Sequence, residues 1–232
     1  MEFPVAGVRM VLRAILASGA FLLIAASDVP SLEDQVLERI NHLRQNPAAY
    51  AERLRQLRAH FRGNTLYLPG RARGQITREG VDAVEEAIAF LELQTPLPPL
   101  SRGELLGLAA RDHVVVQGAL GTRGHFSPDG ASPGDRVERR GGGRLVGEDI
   151  SYGYADADDV VRQLVIDDGV PDRGHRELLF NRELRYAGVG CGSHSAYGHM
   201  CVIDVARTRN GMSVYAALAQ NEERAALPTG KR

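Results

Sequence analysis

Apolar positions recur at helical spacing through the first half of the chain and alternate like strands near its end. Ser31 reads as an N-cap, with Glu33 and Asp34 in the first turn and Val36, Leu37, Ile40 and Leu43 along one face. Asn46-Pro47 interrupts that stripe, and a second helix is expected from Ala48 to His60. Arg62 to Gly74 is rich in Gly and Arg and reads as a loop. Thr77 is expected to cap a third helix carrying Val81, Val84, Ile88 and Leu91, which ends at Pro96, Pro98 and Pro99. Ser101-Arg-Gly-Glu104 has the form of a capping box, opening a helix that buries Leu105, Ala109 and Val116 with His113 on the same face.

Gly118 to Gly153 is a Gly-rich loop by composition. A short helix is expected over Asp158–Asp167, with Asp172 capping a last turn that holds His175. Alternation then predicts strands over Tyr186–Cys191 and Met200–Ala206, joined by a hairpin-like Gly/Ser/His segment, and one further strand over Val214–Leu218. Helices first and strands late argue for an α+β fold with helices packed on a mostly antiparallel sheet.

Composition narrows the function classes. The chain has 232 residues, 44% hydrophobic and 25% charged, as suits one globular domain with its own core. A net charge of −1 gives no electrostatic footprint for nucleic acid. Arg9 and Arg13 precede an apolar run from Ala14 to Ala26, and Ala25, Ala26 and Ser27 supply small residues for cleavage. That run is short for a span, which needs about 20 apolar residues, so a signal peptide over residues 1–26 is expected. With the signal removed no membrane span is expected, and the destination is outside the cytoplasm: secreted, periplasmic or in the cell envelope.

Export bears on Cys191 and Cys201. The segment Cys191-x-x-His194-x4-His199-x-Cys201 holds ligand types suited to a structural zinc, but an oxidising compartment favours a disulfide. His113, sharing a face with Leu105 and Ala109, reads as a buried structural histidine. Asp167 and Asp168 fall where a helix ends, against the negative end of its dipole, so a partner should offset them: Arg173, Arg176, an imidazolium or a metal. Ser127 could be drawn into a triad with His175 and Asp167, but its Pro-Asp-Gly setting reads as a turn. There is no His-Glu-x-x-His pair, no Gly-x-Ser-x-Gly elbow and no phosphate loop.

The ordered series His125-Phe-Ser-Pro-Asp-Gly, Gly147-Glu-Asp-Ile-Ser-Tyr-Gly153, Asp167 to Arg176 and Gly188-Val-Gly-Cys191 resembles the bacterial branch of the CAP superfamily. Ile40-Asn-His-Leu-Arg-Gln-Asn-Pro47, Pro99-Leu-Ser and Ala109-Ala-Arg-Asp-His113 extend the resemblance over Ser31 to Ala206. It implies a three-layer α-β-α sandwich, with an N-terminal helical part and insertion loop over 27–100, a core over 101–210 and a tail over 211–232. It also implies a cleft tetrad of His125, Glu148, Asp167 and His175, with Asp168 a rival for the second acid. Members usually carry Glu there, so Asp167 reaches one methylene less far.

Two neutral imidazoles, His125 and His175, suit a divalent metal such as zinc, with carboxylates orienting the rings. Glu148 and Asp167 are then the candidate catalytic acids, because metal-bound water is an effective nucleophile near neutral pH. The same four groups could instead form a hydrogen-bonded ion cluster. Three functions follow: a binding module for a divalent metal and a lipid, sterol or peptide; a metal-dependent hydrolase with Glu148 as base; and a structural cell-envelope module.

Overall fold

The computed structural model describes residues 30–226, so the expected leader and the last residues of the tail lie outside it. The protein is α+β, a four-stranded sheet with helices on both faces. Helix α1 (Leu32–Gln45) starts at Ser31, whose hydroxyl accepts the Asp34 N–H, and Asn46 separates it from α2 (Pro47–Leu57). After a short 3₁₀ turn, Phe61–Arg62 (β1), Thr65–Leu66 (β2) and Gln75–Ile76 (β3) pair into a small antiparallel sheet. Most of the 62–74 stretch is irregular as expected, but its ends are strands turning at Gly63, where φ is 57°.

Helix α3 (Val81–Leu93) starts four residues after the expected cap. Thr77 bonds Asn64 instead, and the N-cap position falls to Gly80. Ser101–Arg102 is a strand, β4, rather than a capping box, because the sheet claims the Ser101 N–H through the Arg185 carbonyl. Helix α4 (Glu104–Leu120) therefore begins behind Gly103 with no side-chain cap. Its inward face is Leu106, Ala109, Ala110, His113, Val114 and Gln117, while Leu105 is half-buried and Val116 exposed. The apolar pattern misplaced that face because two of its members are polar.

The region read as a Gly-rich loop holds two elements. Helix α5 (Pro133–Arg139) opens on a capping box between Ser132 and Asp135, and β5 (Gly147–Tyr152) is an edge strand. Helices α6 (Ala157–Ile166) and α7 (Gly174–Leu179) follow, then the hairpin β6 (Tyr186–His194) and β7 (Gly198–Ala206). Val214–Ala226 is a helix, α8, not a strand; its Ala-rich composition favours helix and Ser213 accepts the Ala216 N–H.

The sheet order is β4-β6-β7-β5, with only β4 and β6 parallel. Period-two alternation along β7 divides the core. Cys201, Ile203 and Val205 join α1, α2, α3, α6 and α7, whereas Met200, Val202 and Ala206 meet α4 and α5. Helix α4 lies almost backbone to backbone on β6: a Cβ at Gly188 would sit 1.9 Å from the Gly107 nitrogen. Cys191 and Cys201 stand opposite one another in the hairpin, with Cα atoms 4.1 Å apart, and form the disulfide. Both ring nitrogens of His194 are engaged: its Nε2–H donates to Thr122 O, and Nδ1 accepts the N–H groups of Ala196 and Tyr197.

Candidate functional site

A cavity of about 520 Å³ lies between the small β1–β3 sheet, α3, the edge strand β5 and the α6–α7 turn. Phe61, Leu66, Val84 and Ile150 give it apolar walls, and His125 and His175 both line it. Each histidine is held by a buried acid. His125 Nδ1 donates to Glu148 Oε1 at 2.9 Å, and His175 Nδ1 donates to Asp167 Oδ1 at 2.6 Å. The carboxylates are 1% and 2% exposed at the side chain, the imidazoles 48% and 26%. With the acids accepting at Nδ1, Nε2 is the ring nitrogen of each histidine that these bonds leave free.

The loop carrying His125 is tied down from below. His113 and Gln117 both donate to Gly124 O, at 2.9 and 2.7 Å, and the Tyr152 hydroxyl accepts the Gly124 N–H while donating to Gln117. This is why α4 buries two polar residues: they anchor the loop that presents the histidine. Burial lowers the His113 pKa, so it serves as a neutral structural residue, as its helical position suggested. Ser127 sits beside His113 Nδ1 at 3.3 Å and belongs to this anchor.

Arg136, 3% exposed, reaches in from α5. It donates to His125 O at 2.9 Å and to the second Glu148 oxygen, so one guanidinium fixes both members of the pair. No sequence signal marked it, since it is one arginine among many.

Asp167 resolves the dipole conflict at the end of α6. It is the helix's C-cap in the left-handed region, φ 58°. Its carboxylate faces the start of α7, where Oδ2 accepts the N–H groups of His175 and Arg176 at 3.0 and 3.2 Å. Arg173 and Arg176 bond the carbonyls of Asp167 and Val170, and of Val165 and Ile166, respectively, rather than either carboxylate. Asp172 is not the cap of α7; Asp167 takes that role from across the turn. Asp168 also lines the cavity but is occupied, accepting the N–H groups of Arg78 and Glu79 at 2.8 Å each.

Two further acids escaped the sequence reading. Asp149 and Asp204 are 2% and 0% exposed, and burial pushes both carboxyls well above the usual carboxylate range. Asp167 and Glu148 push Asp149 the same way. Adjacent acids on β5 alternate, so Glu148 and Asp149 face opposite sides of the strand.

Among the described residues no three His, Cys, Asp or Glu side chains gather closely enough to hold a metal ion. Glu148 and Asp167 spend themselves on the Nδ1 positions. A cation between the rings would take two imidazole nitrogens from the protein, one fewer than the three ligands of a typical catalytic zinc.

The model of the CAP family, described as the cysteine-rich secretory protein family, matches residues 37–205. No curated protein matches the chain. Among solved structures, an extracellular protein containing an SCP domain from Bacillus anthracis aligns at 24% identity and TM-score 0.41. That alignment covers 48% of this chain and 35% of the other, so the match spans about a third of the Bacillus protein. An outer surface protein from Borrelia burgdorferi aligns at 20% identity and TM-score 0.41, over 53% of this chain and 86% of its own.

Proposed function

Because the chain belongs to the CAP, or cysteine-rich secretory protein, family, we propose that it is an exported binding module whose cleft takes an amphipathic ligand. The carrying observation is the cavity itself: about 520 Å³, with apolar walls and two imidazoles on its lining, each held by its own acid. That volume falls within the roughly 300–1,000 Å³ of small-molecule sites, where a few fixed polar groups orient a mostly apolar ligand. A lipid, a sterol or an apolar peptide side chain with a hydrogen-bonding head fits this description. The leader-like run 14–26 behind Arg9 and Arg13, and the disulfide, support export. Among the described residues no helix is long and apolar enough to cross a membrane.

A divalent cation is the second reading, favoured by the way each ring is held through Nδ1. Carboxylates bonded to the far nitrogen of metal-ligating histidines raise ligand basicity and fix the tautomer. Zinc would then rest on His125 and His175, with water or the ligand completing its shell. The hydrolase reading needs a base that reaches cavity water. Glu148 is buried behind His125 with both oxygens engaged, so binding is the function carried forward.

The test is saturable binding of a fluorescent fatty acid, a fluorescent sterol and an apolar peptide to the mature protein. Val170→Trp, which sets an indole into the cavity, is expected to abolish the signal. Failure of all three probes to bind, or binding unchanged in Val170→Trp, overturns the proposal. Calorimetric zinc titration with His125→Ala and His175→Ala addresses the cation, and that reading falls if wild type and variants behave alike.

A further inference from the structure

Glu148 on β5 pairs across the ladder with Asp204 on β7, so their side chains lie side by side on one face of the sheet. Both residues are buried, at 8% and 0% exposure. Among the described residues no donor reaches either Asp204 oxygen, and the Glu148 carboxyl stands beside it across the ladder. Two carboxylates facing each other only repel. They form a hydrogen bond only when one carries a proton.

The surroundings decide which one does. Glu148 receives the Arg136 guanidinium on one oxygen and His125 Nδ1–H on the other, so both of its oxygens act as acceptors. Asp204 receives neither. Gly188, its neighbour on β6, has no side chain, and His113, the titratable group on the buried face of α4, spends its Nε2–H on Gly124 O. One buried cation therefore faces two acids. Two negative charges beside one positive charge in a dry layer would leave a buried charge uncompensated, a strongly unfavourable arrangement.

We propose that Asp204 is a positioning residue for the His125–Glu148 pair, a neutral carboxylic acid whose O–H is donated to Glu148. With Arg136 on one side and Asp204 on the other, the Glu148 carboxylate is held in the one orientation that reaches His125. The imidazole is thereby presented to the cavity in a single tautomer, whatever ligand the cavity takes. Burial, with Glu148 beside it, raises the Asp204 carboxyl in support of this assignment, Arg136 opposing.

The test begins with wild-type protein, following the Asp204 Cγ resonance by carbon-detected NMR between pH 5 and 8. A protonated-acid shift that does not move across this window is expected; an ordinary carboxylate titration completed below pH 5 overturns the proposal. Asp204→Asn keeps a neutral donor toward Glu148, and Asp204→Leu removes it. Asp204→Asn is expected to retain the downfield His125 Nδ1–H proton resonance and the wild-type tautomer, and Asp204→Leu to lose that resonance. Equal retention of the resonance in both variants, or its loss in Asp204→Asn, refutes the positioning role. If Asp204→Leu does not fold, the Cγ titration together with Asp204→Asn still decides.

Discussion

Replacing Asp167 by Ala tests whether one side chain both ends α6 and starts α7. The Asp167 carboxylate accepts two backbone N–H groups at the start of α7 and the Nδ1–H of His175. Removing such a cap costs about 1 kcal/mol. The bond to the partly exposed imidazole adds roughly 1 kcal/mol, the size of an ordinary hydrogen bond, because water replaces part of it. Ala is also a poor occupant of the left-handed backbone at φ 58°, adding about 1 kcal/mol. Asp167→Ala should therefore lose about 3 kcal/mol in urea denaturation at pH 7, or about 6–12 °C in Tm for a domain of this size. Asp167→Asn tolerates the backbone and keeps one acceptor, so it should lose only about 1 kcal/mol. Asp168→Ala should leave the His175 ring resonances unmoved. A cost below about 1 kcal/mol for Asp167→Ala, equal costs for Ala and Asn, or a His175 shift in Asp168→Ala would refute the reasoning.

Asp149→Asn should stabilise the protein at neutral pH. A buried acid whose folded pKa is raised binds more protons folded than unfolded, so wild-type stability falls as pH rises above about 4. The variant's advantage in Tm should be small near pH 4 and grow with pH until the folded carboxyl ionises; a constant offset would refute this. Reduction should add two hydrogens to the mass and, for a loop with a sequence separation of 10, cost about 2–3 kcal/mol by loop entropy. Unchanged chemical denaturation after reduction would contradict that. Gly188→Ala brings a methyl to 1.9 Å from the Gly107 nitrogen and should lose at least about 3 kcal/mol, measured by urea unfolding. A loss under about 1 kcal/mol would mean that α4 can slide.

Elements whose signals are local were legible along the chain. Ser31, the stripe Val36-Leu37-Ile40-Leu43 and the alternation of β6 and β7 need no distant partner to be recognised, and they stand where expected. The ordered motifs carried the family, and with it His125, Glu148, Asp167 and His175 as candidates. Elements with weak local preference were decided by tertiary contacts. Ser101 became a strand because the Arg185 carbonyl, just before β6, took its N–H, and β5 was hidden among glycines and acids until β7 paired with it. The inward face of α4 was misread because His113 and Gln117 are buried to hold the His125 loop, a reason that exists only in three dimensions.

The same holds for the candidate site. Adjacent aspartates at 167 and 168 are indistinguishable by composition, yet one turns to His175 and α7 while the other closes on the backbone at Arg78 and Glu79. Arg136 and Asp204 carry no motif, because their role comes from β5–β7 register and from how α5 packs over it. Local sequence names the groups that could do chemistry. Burial, register and charge balance, which are properties of the folded assembly, decide what each of those groups is bonded to.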